Sequence, residues 1–257
     1  MKADLGRARL LDRVAMVTGG AGGLGSAICR ALAQEGARIA ILVNQNLAGG
    51  QRLASELKDS FGVEAEAIKA DVSQGDQVRA AVAAVRERWD RLDILVNNAG
   101  ITTPSKIEEI SEEEWDRVVA VNLKGHFLCA QSAIPHLKDS PCGRIINMGS
   151  LVAKNGGIIS GGVYATTKGA IHSFTYVLAK ELAPHRITVN AVAPGPINTE
   201  MIQAMPEDKV KLMIDNIPLR RLGRVEEVGQ TVAFLASDQA AYITGEVLDI
   251  NGGAYTD

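Results

Sequence analysis

The stretch Thr18-Gly19-Gly20-Ala21-Gly22-Gly23-Leu24-Gly25 stands between a short apolar run, 14–17, and a segment of helical period that begins at Ser26. Strand, glycine turn and helix amino terminus, in that order, make a phosphate site. Bare backbone lets a pyrophosphate approach, and the helix end supplies free amides and the positive end of its dipole. A dinucleotide is implied. Three glycine spacings fit the stretch: Gly20, Gly22 and Gly25 give Gly-x-Gly-x-x-Gly, Gly19, Gly22 and Gly25 give Gly-x-x-Gly-x-x-Gly, and Gly19, Gly23 and Gly25 give Thr-Gly-x-x-x-Gly-x-Gly. The loop by itself does not choose among them.

Outward from the loop, the Val- and Ile-rich runs 38–43, 65–70, 94–97, 144–148, 188–193 and 246–250 alternate with longer segments at helical spacing. This is the pattern of a parallel sheet covered on both faces. Val78, Ala81, Val82, Val85 and Trp89 recur at spacings of three and four and place one apolar stripe against the sheet. Ser111 and Glu114 form a capping-box pair that starts a helix running to Lys138. A further helix is predicted over 163–183, with Ile171, Phe174, Leu178 and Leu182 on its buried stripe and Pro184 past its end. No linker or repeat interrupts the alternation. The predicted fold is therefore α/β, a Rossmann-type doubly wound sheet of about seven parallel strands with helices on both faces. One dinucleotide-binding and catalytic domain is expected over 1–257. The segment 198–218 carries Met201, Met205 and Met213 among charged residues and reads as a substrate lid or as a surface helical hairpin.

Composition narrows the function. The 257 residues are 46% hydrophobic, with 26 glycines against 2 Trp, 4 Tyr and 4 Phe, enough for a sizeable core. No apolar run approaches the roughly 20 residues needed to cross a bilayer, and Met1 to Arg13 has no signal-peptide character, so a cytoplasmic protein without a membrane partner is expected. A net charge of -3 with few aromatics argues against nucleic acid. Cys29, Cys129 and Cys142 are an odd number without Cys-x-x-Cys spacing, and His126 with Cys129 is no ligand set; neither a disulfide framework nor a metal site is expected.

Downstream landmarks decide the glycine register. Asn97-Asn98-Ala99-Gly100 closes the fourth run, Ser150 follows the fifth, Tyr164 and Lys168 stand in Tyr-x-x-x-Lys, and Pro194 and Gly195 follow the sixth, with Thr199 beyond. This set, in this order, resembles the short-chain dehydrogenases/reductases from about Leu11 to Tyr255. That family uses the third glycine spacing. The resemblance implies a homo-oligomer, a tetramer or dimer, built on the helices after the fourth and fifth strands.

Tyr164 and Lys168 are four apart on a predicted helix and share a face. A free phenol has a pKa of about 10, and a nearby ammonium is expected to lower it. Tyr164 then serves as general acid in carbonyl reduction and general base in alcohol oxidation. Ser150 can hydrogen-bond the same substrate oxygen and steady its developing charge; Ser160 is nearer in sequence but reads as part of a turn. By resemblance Asn122 holds a water that links Lys168 to bulk; read alone, it is a buried helix asparagine bonding backbone. The resemblance also assigns the cofactor to Gly19, Gly22, Gly23, Leu24 and Gly25, with Asp71 and Val72 flanking the adenine. Asn98, Ala99 and Gly100 would line the ribose path, and Pro194, Gly195, Ile197 and Thr199 would hold the nicotinamide end. Gly195, Pro196, Met201 and Met205 join Ser150 and Tyr164 as expected substrate contacts.

An acid at the end of the second strand would reject a 2′-phosphate and a base would welcome it. This chain has Val43, Asn44 and Gln45 there. The missing acid leans toward NADP(H), while NAD(H) stays open. Arg221-Leu222-Gly223-Arg224 and the segment 241–253 are especially similar to bacterial 3-oxoacyl-acyl-carrier-protein reductases. Where those dock an acidic carrier through basic residues, this chain has Pro141 or Cys142 and His185, with Arg186 adjacent. The first reading is thus a secondary alcohol/ketone oxidoreductase acting on a small molecule, the second a 3-oxoacyl thioester reductase. A non-catalytic NAD(P)-binding regulator would not need Ser150, Tyr164 and Lys168 together.

Overall fold

A computed structural model describes residues 8–157 and 161–256; Lys2, Asp4, Arg7 and Ser160 lie outside the described residues. Seven parallel strands, β1 (Val14–Thr18), β2 (Arg38–Val43), β3 (Ala65–Lys69), β4 (Ile94–Asn97), β5 (Arg144–Met148), β6 (Thr188–Pro194) and β7 (Val247–Ile250), form one sheet in the order β3-β2-β1-β4-β5-β6-β7. The sequence expectation of a doubly wound parallel sheet is met, with strand ends displaced by a residue at most.

Side chains alternate across each strand, so neighbouring apolar residues serve opposite layers. Ala15, Val17, Ile39, Ile41, Ile94 and Val96 pack in one core with α1 (Gly23–Gln34), α2 (Leu47–Phe61) and α10 (Val225–Ala236). Val14, Met16, Ala40, Leu42, Leu95 and Ile145 pack in the other with α3 (Gly75–Trp89), α5 (Gly125–Asp139) and α7 (Gly162–Leu182). The stripe Val78, Ala81, Val82, Val85 and Trp89 is buried as its spacing predicts. On α7, Ile171, Leu178 and Leu182 are buried, while Phe174 packs only partly against the same core.

β1 lies between β2 and β4, so the connections leaving β1 and β4 part to opposite faces of the sheet and open a crevice at the strands' carboxyl ends. That crevice holds the site.

Two elements depart from the sequence reading. The helix expected over 111–138 is α4 (Glu112–Val119) and α5, joined by a π turn over Ala120–Lys124 in which the Gly125 amide reaches back to the Ala120 carbonyl. The capping box at its start is half formed. Ser111 accepts from the Glu114 amide at 3.2 Å, but the Glu114 carboxylate turns away to take hydrogen bonds from the hydroxyls of Thr103 and Ser105. It thereby ties the loop after β4 to α4. The segment 198–218 contains α8 (Glu200–Gln203) and α9 (Glu207–Asp215), neither with a buried residue. The remaining short helix, α6 (Val152–Asn155), follows Ser150 directly.

Candidate active site

The glycine loop shows why glycine is needed at some positions for packing and at others for access. A side chain on Gly25 would start 2.2 Å from the Gly19 carbonyl oxygen, and one on Gly20 would meet Ile41 at 2.8 Å. Gly19 adopts φ +63°, a left-handed conformation that an L side chain resists. Gly22 and Gly23 are different. A side chain on Gly22 would meet only the Gly19 carbonyl oxygen at 3.6 Å, and one on Gly23 only Thr199 at 3.8 Å. Nothing in the protein requires glycine at these two, and both border the cleft. α1 begins at Gly23 with no side-chain cap and no acid in its first turn, so its amides and dipole face the cleft without competition. These residues fit a dinucleotide diphosphate: the two glycines that packing leaves free are those a pyrophosphate would cover.

The loop is clamped from β4. The amides of Asn98 and Ala99 both donate to Thr18 Oγ1 at 2.9 Å, and Asn98 Nδ2 donates to the carbonyls of Thr18 at 2.9 Å and Gly19 at 3.2 Å. Asn97 turns into the sheet instead and donates to Asn147 Oδ1 at 3.0 Å.

The cleft encloses about 930 Å³. It is bordered by Gly19, Gly22, Gly23, Leu24, Gly25, Asn98, Ala99 and Gly100 on one side and by Ser150, Tyr164, Lys168, Pro194, Gly195, Pro196, Ile197 and Thr199 on the other, with Met201 and Met205 above. Residues separated by nearly the whole chain are therefore brought to one place. Val152 and Ile202, within the loop after Ser150 and the segment 198–218 read as shaping the pocket, line the same walls; sequence reasoning missed Met148, Ile101, Thr102, Pro104 and Leu151 there. Met148 was within reach of it, as the last residue of a strand whose carboxyl end faces the crevice.

Four expected cofactor residues sit elsewhere. The Val43 side chain is 4% exposed and belongs to the core, where it touches α2 at Gly50. Asn44 is exposed and donates to Asp71 Oδ2 at 3.2 Å, while Asp71 also accepts from the Ser73 hydroxyl at 2.7 Å. Val72 is buried against Gly125 of α5. All four lie at the ends of β2 and β3, beyond the walls of the 930 Å³ cleft.

At the catalytic end, Tyr164 and Lys168 share one face of α7, with the Lys168 Nζ 5.6 Å from the Tyr164 ring centroid. Lys168 is buried and donates to the Met148 carbonyl at 2.5 Å; burial brings its pKa down to about 8. Burial holds the Tyr164 phenol's pKa above its ordinary value, outweighing the opposite pull of the nearby Ser150 hydroxyl. This corrects the sequence expectation: in this arrangement solvation, not the ammonium, sets the phenol's acidity. Ser150 also accepts from the Val152 amide at 3.3 Å, so its oxygen is held by the first turn of α6.

Asn122 sits at the centre of the π turn, fully buried. Its Oδ1 accepts from the Ile101 amide at 2.8 Å, and its Nδ2 donates to the Ile101 carbonyl at 2.8 Å and to Thr167 Oγ1 at 3.2 Å. The side chain thus fixes the backbone after β4 to the helix of Tyr164, matching the bland reading of a buried asparagine bonding backbone. A side chain on Gly100 would find Asn122 Oδ1 at 3.4 Å and Lys168 Nζ at 3.8 Å, so the amide and the ammonium flank one point.

Known proteins share this architecture. Residues 19–255 match the family model described as Enoyl-(Acyl carrier protein) reductase. The chain is 40% identical over 248 residues to a 3-oxoacyl-(acyl-carrier-protein) reductase of Staphylococcus epidermidis, covering 95% of this chain and 100% of that protein. It is 39% identical over 242 residues to nodulation protein G of Azospirillum brasilense, covering 94% and 98%. A short-chain dehydrogenase/reductase from Serratia marcescens superposes with a TM-score of 0.90 at 37% identity, covering 96% of this chain and 100% of that one. A blue fluorescent protein from a metagenomic library, solved in complex with NADPH, matches with a TM-score of 0.90 at 36% identity and the same coverage. Likeness this extensive, in sequence and in fold together, settles the family: the chain belongs to the short-chain dehydrogenase/reductase family of NAD(P)-dependent oxidoreductases.

Proposed function

We propose that the protein interconverts a secondary alcohol and a ketone, with Asn122, Ser150, Tyr164 and Lys168 as its catalytic set and NADP(H) as the favoured dinucleotide. One observation carries this: the glycines freed for a pyrophosphate and the Ser150–Tyr164–Lys168 group border the same cleft. Bound nicotinamide supplies or accepts the hydride. The protein handles the proton. In reduction Tyr164 gives its phenolic proton to the carbonyl oxygen, and Ser150, beside the phenol, donates to the same oxygen as charge gathers there. In oxidation Tyr164 takes the alcohol's proton back. An ordinary phenol is protonated at neutral pH and burial only raises its pKa, so Tyr164 carries the proton that reduction needs. Lys168 positions a ribose through its ammonium, exchanging the Met148 carbonyl for ligand hydroxyls, and Asn122 holds the wall opposite. Asn44 and Asp71 serve the adenosine end beyond the cleft walls, with the backbone of Val43 and Val72 beside them. NADPH in a bound relative and the absence of an acid at Asn44 support the phosphorylated cofactor.

A second reading is reduction of a 3-oxoacyl thioester, favoured by relatives of that name at 40% identity. Against carrier docking, the corresponding places hold Pro141 and His185 in place of a lysine or arginine, with Arg186 adjacent. We place the protein in the cytoplasm as a homotetramer. Among the described residues no helix is long and apolar enough to cross a membrane. The exposed Phe127, Tyr176 and Val177 on the outer faces of α5 and α7 support subunit pairing there.

Initial rates over ketones, alcohols, sugars and 3-oxoacyl thioesters, each with NADH and NADPH, test the reading. Turnover of free ketones at rates comparable to carrier-bound substrates is expected. Strict dependence on a carrier protein would overturn the first reading in favour of the second.

A further inference from the structure

Beside the catalytic cleft, against the same segment, lies a second cavity of about 390 Å³ that is open to solvent. Its apolar lining comes from Ile202 of α8, Met205, Val210 and Ile214 of α9, and Leu222. Ile202 and Met205 also line the catalytic cleft, so these two side chains form a partition between the cavities. The lid is consequently apolar on two sides: Met213 of α9 faces the cleft, while Val210 and Ile214, one turn apart, face the second cavity.

That arrangement is unusual for a surface helix, which normally packs one apolar face on the core. No residue of α8 or α9 is buried, and Met201 and Leu212 are more than half exposed. The lid thus lacks an apolar partner. Continuity through Ile202 and Met205 identifies one, because whatever enters the cleft already touches the partition. Methionine is unbranched and swings aside at small cost, so the passage opens at Met205, beside the stiffer, β-branched Ile202. Glu207 and Lys211 line the far mouth and would meet water there.

We propose that the second cavity is a subsite for an extended apolar tail on the substrate, admitted past Ile202 and Met205, which makes the preferred substrate a long-chain ketone rather than a compact one. The proposal rests on the ketone-reductase reading of the cleft.

The test uses initial rates with 2-alkanones from butanone to dodecanone and NADPH or NADH. Specificity kcat/KM should rise by about threefold per methylene once the tail passes the partition, because each buried methylene leaves water. Val210→Trp, which fills the second cavity from α9, should remove at least about tenfold of the dodecanone rate and leave butanone within about twofold. Ile214→Trp should act alike from the next turn. A tail-length profile unchanged in both variants would overturn the subsite alone. So would a change of oligomeric state in Val210→Trp by sedimentation, which would assign this face to a second copy. No turnover of any ketone with either cofactor would instead overturn the ketone reading, and the subsite with it.

Discussion

The Lys168 ammonium donates to the Met148 carbonyl oxygen across 2.5 Å inside the protein, a charge whose partner is neutral. Such a group is held at a cost, seen in its pKa of about 8. The native value lies below that of an unfolded lysine, about 10.4. The unfolded chain therefore binds more protons across the window from pH 8 to about 10.4, and stability rises with pH through it. Lys168→Met should be more stable than the parent at pH 7 by about 2 kcal/mol, after allowing for the lost hydrogen bond. The advantage should fade toward pH 10. Urea unfolding at both pH values checks this, and equal stability at pH 7 would show that the ammonium is well solvated.

Tyr164→Phe should bind cofactor within about threefold of the parent and lose roughly 10²–10⁴ in turnover, the usual worth of a placed proton donor. Ser150→Ala should cost about 10². It also removes the hydrogen bond that opposes burial at Tyr164, so the phenol's pKa should climb further. The ascending limb of the pH–rate profile for alcohol oxidation, where the phenol loses its proton, should then move to higher pH.

Substitutions in the glycine loop should separate folding from binding. Gly25→Ala would place a methyl 2.2 Å from the Gly19 carbonyl oxygen, and a melting curve should show a loss of several degrees or failure to fold. Gly23→Ala has room, so its melting temperature should stay near the parent's while cofactor affinity falls about tenfold or more. Unchanged affinity in Gly23→Ala would remove the diphosphate from this loop.

Cofactor choice is better probed at Asn44 than at Val43. An acid at Val43 would be forced into the core. Asn44→Asp places a carboxylate on the exposed end of β2, and the ratio of kcat/KM for NADPH over NADH should drop by about tenfold. The new charge also faces Asp71, now without the 3.2 Å hydrogen bond from Asn44. An unchanged ratio would place the 2′ position elsewhere.

Most of the architecture was legible because strands buried on both faces must be apolar throughout, and the glycine, Ser150 and Tyr164–Lys168 landmarks sit at strand ends or one helical turn apart. What stayed hidden depends on tertiary partners. Ser111 and Glu114 carry the capping spacing, yet Glu114 found better donors in Thr103 and Ser105. The residues around Asn122 have ordinary helical periodicity, and nothing in 111–138 announces a π turn. Val43 ends its strand beside the expected adenosine, and strand alternation points its side chain to α2, a packing partner that local sequence does not reveal. The phenol of Tyr164 was read from one neighbour's charge, whereas its environment as a whole decides the outcome.

The clamp from Asn98 to Thr18 and Gly19 joins residues about eighty positions apart. A ribosome delivers the glycine loop long before it delivers the residue that shapes it. Until β4 emerges, the edge of β1 facing it is open and the Gly19 carbonyl is held by the Gly22 amide alone, without the second bond from Asn98. The finished cradle therefore needs both neighbours of β1, because its last hydrogen bonds come from the strand on the far side of the crevice.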